Sequence, residues 1–291
     1  MNTETLAEIQ IGKDYFMKSI ASFDGETLTN LKDISELEFE YFIEHSERIN
    51  KFVNDYKRIS IVKKDKEAMD KFVIDYLDDA TNIGTASFLS ELPSLLLKYL
   101  ASFKSFLDHW ETHLKRLYGN DSKQVKEFKA STAVEFDSYF SYRFVYELRN
   151  FTLHCKFPIS KVQTKLDENE NKLLSVVVDR DRLISDYKWP KKVKLDEMEL
   201  EFDLLPHIEE AFKCLLRIHQ TAINLCDTKK LIESALIIYK FRVDYKDVVG
   251  NIALVTIKDD LINLNSNSLN FKINNLPVKE SEKIIEMFVR D

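Results

Sequence analysis

Apolar residues recur at helical spacing between residues 34 and 156. Stripes with a period of three to four residues mark one face of successive helices, for example Phe39, Phe42, Ile49 and Phe52, then Leu96, Leu100, Phe103 and Leu107. Glycine and asparagine interrupt the pattern near 82–84 and 118–120, as expected between helices. We predict a bundle of helices here, with a new helix beginning near Pro93, because proline is tolerated in a first helical turn.

The spacing of apolar residues along the chain changes after Pro158. Residues 161–166 alternate between apolar and polar, 167–171 form a polar cluster typical of a turn, and 173–178 are β-branched and apolar. This arrangement predicts a β-hairpin. Helical spacing returns over 204–225 and 231–241, which we assign to the bundle.

The C-terminal residues have a mixed pattern. Short apolar runs at 252–257 and 269–273 predict strands, and 277–289 has the spacing of a short helix. The predicted fold is therefore mainly α, a helical bundle with a β-hairpin insertion and a small C-terminal α/β appendage. Its expected parts are an N-terminal helical extension at 1–33, the bundle at 34–245 with the insertion near 161–178, and the appendage at 246–291.

Composition limits the classes of function. The 291 residues are 44% hydrophobic, with 42 Lys plus Arg against 49 Asp plus Glu, so the formal net charge is -7 and any nucleic-acid site must be local. The five glycines occur singly, which excludes a P-loop and a dinucleotide-binding glycine turn. Three widely spaced cysteines favour reduced thiols. No signal peptide or long apolar segment is evident, so we expect a cytoplasmic protein without a membrane partner.

The segment 140–157 carries the most informative chemistry. On a helix its large apolar residues form one stripe: Phe140, Phe144, Leu148, Phe151 and Cys155. The opposite side carries its polar and tyrosine side chains: Tyr139, Tyr142, Arg143, Tyr146, Arg149, Asn150 and His154. Guanidinium binds phosphate oxygens through paired donors, and imidazole moves a proton near neutral pH. The face suits phosphodiester chemistry, although a solvated amphipathic helix has the same spacing.

The run Arg149-Asn-Phe-Thr-Leu-His154 resembles the Arg-(polar)-x3-His signature of HEPN domains. The resemblance extends to the arrangement over residues 35–245, with the motif near the end of a long helix, a proline exit, a β-rich insertion and a following helix. It implies a HEPN-like helical bundle that acts as a homodimeric, metal-independent endoribonuclease without a cofactor. Such proteins are often bacterial toxins or anti-phage effectors, so the resemblance also leaves room for an antitoxin or other regulatory partner.

The resemblance also implies roles for three residues. Arg149 would hold the scissile phosphate, Asn150 would orient Arg149 or the phosphate, and His154 would act as general base or acid toward an RNA substrate. Arg149 and His154 lie about 140° apart around a helix, so a second copy would help to close the site. Lys156 stands where one subgroup of antitoxin-paired HEPN toxins has a tyrosine, which puts regulation through that tyrosine in doubt.

Other candidates for substrate binding lie on and beyond this helix. Arg143 and Tyr146 share the motif face, and the segment 187–194 interleaves aromatic and basic residues, including Lys188, Trp189, Lys191, Lys192 and Lys194. The alternative for this segment is a solvated connection in which the tryptophan packs on the bundle and the lysines pair with following acids.

Two alternative interpretations stay open: a metal site and a non-catalytic module. His109 and His113 are one turn apart and could seat a metal, but no third ligand is indicated. The whole chain could instead be a non-catalytic helical interaction module or a nucleotide-binding module. In an interaction module, we expect Arg149 and His154 to be paired with acidic side chains.

Overall fold

The computed structural model describes residues 17–78, 84–166, 172–257 and 271–289. Two compact units divide the chain: a sheet unit from Met1–Lys51 and Thr228–Asp291, and a helical unit from Phe52–Asp227. The helices are α1 (Glu36–Tyr56), α2 (Arg58–Asp78), α3 (Thr85–Tyr118), α4 (Lys123–Ser138), α5 (Phe140–His154), α6 (Arg180–Asp186), α7 (Leu204–Asn224), α8 (Thr228–Asp244) and α9 (Val278–Val289). The strands are β1 (Met17–Phe23), β2 (Leu28–Asp33), β3 (Ile159–Leu166), β4 (Lys172–Asp179), β5 (Glu201–Asp203), β6 (Asn251–Ile257) and β7 (Phe271–Asn275).

Over the described residues the fold is mainly helical, as the sequence predicts, and contains two small antiparallel sheets. The two units do not coincide with the expected ranges 1–33, 34–245 and 246–291, because the N-terminal and C-terminal segments belong to one unit. No helix in the part of the chain that the structure describes is long and apolar enough to cross a membrane.

The sheet unit has four antiparallel strands in the order β2-β1-β6-β7. Strand β1 is central and pairs with β6 over its whole length, for example Ile20 opposite Leu254. The expected N-terminal helical extension is therefore wrong for the described residues 17–33, which form β1 and β2. The second partner of β1, the strand β6, lies more than two hundred residues away in the sequence, so local spacing does not reveal this pairing.

Helices complete the sheet unit. Phe42 of α1 makes an edge-to-face contact with Phe241 of α8, with ring centroids 4.9 Å apart. Nearby, Nδ1 of the buried His45 lies 2.9 Å from the hydroxyl of Ser234. The strand β6 and the helix α9 agree with the C-terminal pattern. The strand predicted at 269–273 corresponds to β7 from residue 271 onward, and residues 269 and 270 lie outside the described residues.

The helical unit contains the largest apolar core. Its fully buried aromatic side chains come mostly from α3 and α5: Phe88, Tyr99, Phe103, Phe106, Trp110, Phe144 and Phe151. The predicted hairpin is confirmed as β3 and β4, and β5 adds a third strand through the pair Val178 and Phe202. The turn predicted at 167–171 lies outside the described residues. Two short 3-10 helices, Lys191–Val193 and Leu195–Glu197, lead from α6 to β5.

The expected helix start at Pro93 is wrong, because Pro93 lies inside the 34-residue helix α3. A proline inside a helix loses the hydrogen bond to the carbonyl four residues earlier. Here Pro93 is buried, and α3 also buries Phe88 before it and Leu96 after it, so both halves of the helix are anchored in the core. Helix α3 begins at Thr85 and ends at Tyr118, next to Gly119.

Gly250 is required by the geometry of the sheet unit. It precedes β6 with φ of +95°, and a Cβ placed on it would lie 2.7 Å from the backbone carbonyl carbon and oxygen of Phe23 in β1. A side chain would therefore meet both an unfavourable dihedral and a backbone that cannot move without disturbing the β1–β6 pairing.

We expect Gly250→Ala to lower the free energy of unfolding by at least about 1 kcal/mol, because both penalties act only in the folded state. Urea unfolding followed by circular dichroism measures this change. Gly84→Ala is the matched control, since Gly84 has no atom within 4 Å of its Cβ position and no positive φ. An equal effect of the two substitutions would contradict the explanation.

Candidate functional site

Helix α5 is fixed by the burial of its apolar stripe. Phe144, Leu148 and Phe151 are completely buried, as the sequence predicts. The ring of Trp189 stacks on both phenylalanines, at centroid distances of 5.7 Å to Phe144 and 5.8 Å to Phe151. Cys155, the predicted end of the stripe, is exposed. The buried contacts set the rotation of α5 about its axis and hence the direction of its polar side chains.

The motif residues Arg149 and Asn150 form one hydrogen-bonded chain with an acidic neighbour. Nη1 of Arg149 donates to Oδ1 of Asn150 at 3.2 Å, and Nδ2 of Asn150 donates to Oε2 of Glu147 at 3.2 Å. Glu147 thus fixes which way the amide of Asn150 points. Glu147 is not among the residues predicted for the site, although its position one turn before Asn150 on the helix was the available signal.

The guanidinium of Arg149 keeps unused donors. Its Nε is buried and has no hydrogen-bond partner in the described part of the chain, and no carboxylate there forms an ion pair with Arg149. A buried donor without an acceptor costs free energy, and such groups are rare in folded proteins. The site therefore holds a permanent cation whose charge is not cancelled by an ion pair.

His154 is the last residue of α5 and is exposed. Among the described residues its imidazole has no hydrogen bond or ion pair. Next to it, Lys156 forms an ion pair with Asp186, and the hydrogen bond from Lys156 holds the pKa of that carboxyl below its ordinary value. His154 is thus open to solvent, while the neighbouring cation is already paired.

Tyr142 does not belong to the polar face. It is 2% exposed and packs against Phe103 of α3, with ring centroids 5.6 Å apart, and burial raises the pKa of its hydroxyl. Tyr146 is half-buried beside Phe136, and the ammonium of Lys104 lies 5.6 Å from the centre of its ring. Much of the aromatic character of this face is therefore used within the chain, and Tyr139 and Leu153 are its exposed apolar side chains.

Arg143, a predicted substrate-binding residue, is tied to the backbone. Its Nε donates to the carbonyl of Val193 at 3.0 Å, and its Nη1 donates to the carbonyl of Phe136 at 3.3 Å. These bonds hold the 3-10 helix Lys191–Val193 against α5. Two of its three nitrogens are occupied in this way, so Arg143 positions the basic segment beside the motif helix.

The segment 187–194 combines a half-buried anchor, Trp189, with free cations. The indole nitrogen of Trp189 donates to the carbonyl of Leu183 at 2.8 Å, so the tryptophan packs on the bundle as the alternative interpretation expects. Lys194 pairs with Glu197 at 3.1 Å. Within the described residues no hydrogen bond or ion pair involves the side chains of the remaining predicted lysines, which are exposed: Lys188, Lys191 and Lys192.

The two histidines considered as metal ligands, His109 and His113, lie in different environments. Nδ1 of the buried His113 lies 2.6 Å from a carboxylate oxygen of Asp55, whereas His109, one turn earlier on α3, is exposed. No group of three or more His, Cys, Asp or Glu side chains that could hold a metal ion occurs in the described ranges. His207 is half-buried and His219 is buried, and burial lowers the pKa of both, that of His219 to about 4.

Comparison of this chain with protein-family models, curated proteins and solved structures finds no match. The resemblance to HEPN domains consequently depends on the motif residues themselves and on their place at the end of α5.

Proposed function

We propose that this protein is a metal-independent endoribonuclease of the HEPN type, acting as a toxin or anti-phage effector, with Arg149, Asn150 and His154 in its active site. The observation that carries the proposal is the guanidinium of Arg149, which has a buried unpaired Nε and no carboxylate partner in the described residues, on the same helix end as an exposed imidazole. An interaction module would place acidic side chains on both groups.

The chemistry needs no group outside the protein and the RNA. The 2′-hydroxyl of one nucleotide attacks the adjacent phosphorus while His154 removes its proton, and the bond from phosphorus to the 5′-oxygen breaks. The leaving oxygen takes a proton from an acid, and the products are a 2′,3′-cyclic phosphate and a 5′-hydroxyl. Arg149 binds the phosphate oxygens, where negative charge develops, and Asn150 with Glu147 keeps the guanidinium aligned.

A homodimer would supply the second proton-transfer group. Arg149 and His154 lie about 140° apart around α5, so one copy directs them to different sides of the helix axis. With two copies of α5 side by side, one His154 acts as base and the other as acid. Leu153, which is 45% exposed and adjacent to His154, provides apolar surface for such an interface.

We expect Arg149→Ala and His154→Ala each to reduce RNA cleavage by about 100-fold or more, because each removes a group that acts only in the transition state. The measurement is the rate of cleavage of a labelled RNA in EDTA, with product ends analysed for 2′,3′-cyclic phosphate. Arg182→Ala and His109→Ala, which change exposed residues outside the motif, are the controls and should retain activity. Undiminished cleavage by folded His154→Ala protein would exclude the assignment.

The dimer is tested with two leucines of equal exposure. Leu153 beside the motif and Leu216 on α7 are both 45% exposed. We expect Leu153→Glu to shift the protein toward monomer and to lower specific activity in parallel, because a buried charge opposes association. Leu216→Glu should change neither property. Sedimentation velocity at several concentrations measures the state, and a fully active wild-type monomer would refute a composite site.

The free lysines are expected to capture RNA. Changing Lys188, Lys191 and Lys192 to Gln should raise KM with little change in kcat, since these side chains bind phosphates and transfer no protons. The slope of log affinity against log salt should fall in magnitude by roughly 0.7 for each lost phosphate contact. A control with the same charge change uses exposed lysines on α2 and α4: Lys64, Lys71 and Lys126. Equal slopes for the two triple variants would show that the segment is not a binding surface.

A further inference from the structure

The sheet unit contains an open cleft of about 450 Å³ that the proposed ribonuclease site does not use. It is bordered by the end of α8, the start of β6, the end of β7 and the first turn of α9. Its polar side chains include Arg242, Tyr245, Lys246, Asn251, Asn275 and Lys279. Small-molecule sites commonly have volumes of roughly 300–1,000 Å³, so the cleft is large enough for a small ligand.

The cleft is positively charged although the whole chain is acidic. Its described lining has three cations and one carboxylate, that of Glu280. Arg242 is 57% exposed and its nearest carboxylate, Glu282, is 3.9 Å away, at the limit of an ion pair. Lys246 and Lys279 have no ion pair within the described residues. These cations are therefore available to an incoming anion.

Neutral donors add to the cations. Asn50, Asn251 and Asn275 line the cleft, and a side-chain amide can donate to ligand oxygens. The first turn of α9 also borders it, and the positive end of a helix dipole adds to the attraction for an anion. A ligand with several oxygens and more than one negative charge matches this set of donors.

A second, larger cavity of the same unit differs from this cleft in its charge balance. It has a volume of about 810 Å³, but its two lysines are balanced by two glutamates, and one of these pairs, Lys18 with Glu36, is already formed. Of these two cavities, only the cleft around Arg242 has more cations than carboxylates among its described lining residues. Its walls also include Val248 and Pro277, which offer apolar contact to the uncharged part of a ligand.

We propose that this cleft binds the phosphate group of a small phosphate monoester. The inference is independent of the ribonuclease proposal, because no residue of the cleft belongs to α5 or to the segment 187–194. A phosphate monoester carries close to two negative charges and three terminal oxygens, which the guanidinium, the two ammonium groups and the amides can bind together.

The test is isothermal titration calorimetry of the full chain with AMP, inorganic phosphate and citrate at low ionic strength. We expect saturable binding of AMP and phosphate with one site per chain, and weaker binding of citrate. Arg242→Gln and Lys279→Gln should each weaken AMP binding about tenfold, as expected for the loss of a charged hydrogen bond. Both residues are exposed, so the substitutions leave the core unchanged.

Matched controls separate a site from general surface charge. Lys240→Gln on α8 and Lys283→Gln on α9 remove a charge from the same helices outside the cleft, and they should leave AMP binding within twofold of wild type. Arg149→Ala should also bind AMP normally, whatever its effect on RNA cleavage. The proposal is overturned by undetectable binding at millimolar phosphate and AMP, by equal losses in cleft and control variants, by tighter binding of citrate, or by loss of AMP binding in Arg149→Ala alone.

Discussion

The contact between Trp189 and the apolar stripe of α5 determines the candidate site. Burial of Phe144 and Phe151 contributes about 1.5–3 kcal/mol for each side chain, and any rotation of α5 would return part of that surface to water. The direction of Arg149 and His154 follows from this constraint. The same tryptophan anchors the segment that carries the free lysines, so one aromatic cluster positions both the motif and its neighbouring cations.

Helical periodicity predicted the buried stripe of α5 and missed the burial of Tyr142. The spacing of 100° per residue shows which side chains share a face, but it does not show how many neighbours a helix has. Helix α5 packs against α7 on one side and against α3 on another, where Phe103 covers Tyr142. A polar-looking tyrosine on the second side is therefore a core residue, and only the arrangement of the helices in space reveals it.

Predictability in this chain depends on how far apart the interacting residues are in sequence. The hairpin of β3 and β4 was predicted because both strands lie within twenty-one residues, 159–179, where 161–166 alternates and 173–178 is β-branched and apolar. Strand β1 was not, because its partner β6 begins at Asn251 and its own seven residues are too few to distinguish strand from helix. The same long-range pairing places both ends of the chain in one unit, which no local boundary signal could indicate.

The way in which the basic segment is held matters for its charge. Arg143 binds the carbonyls of Val193 and Phe136, and Trp189 is held by stacking and by the carbonyl of Leu183, so both anchors use neutral partners. Carboxylate partners would have fixed the segment equally well, but they would have cancelled its positive potential. In a chain with a net charge of -7, anchoring without acids preserves a local cationic surface. Lys194, which does pair with a glutamate, contributes least to that surface.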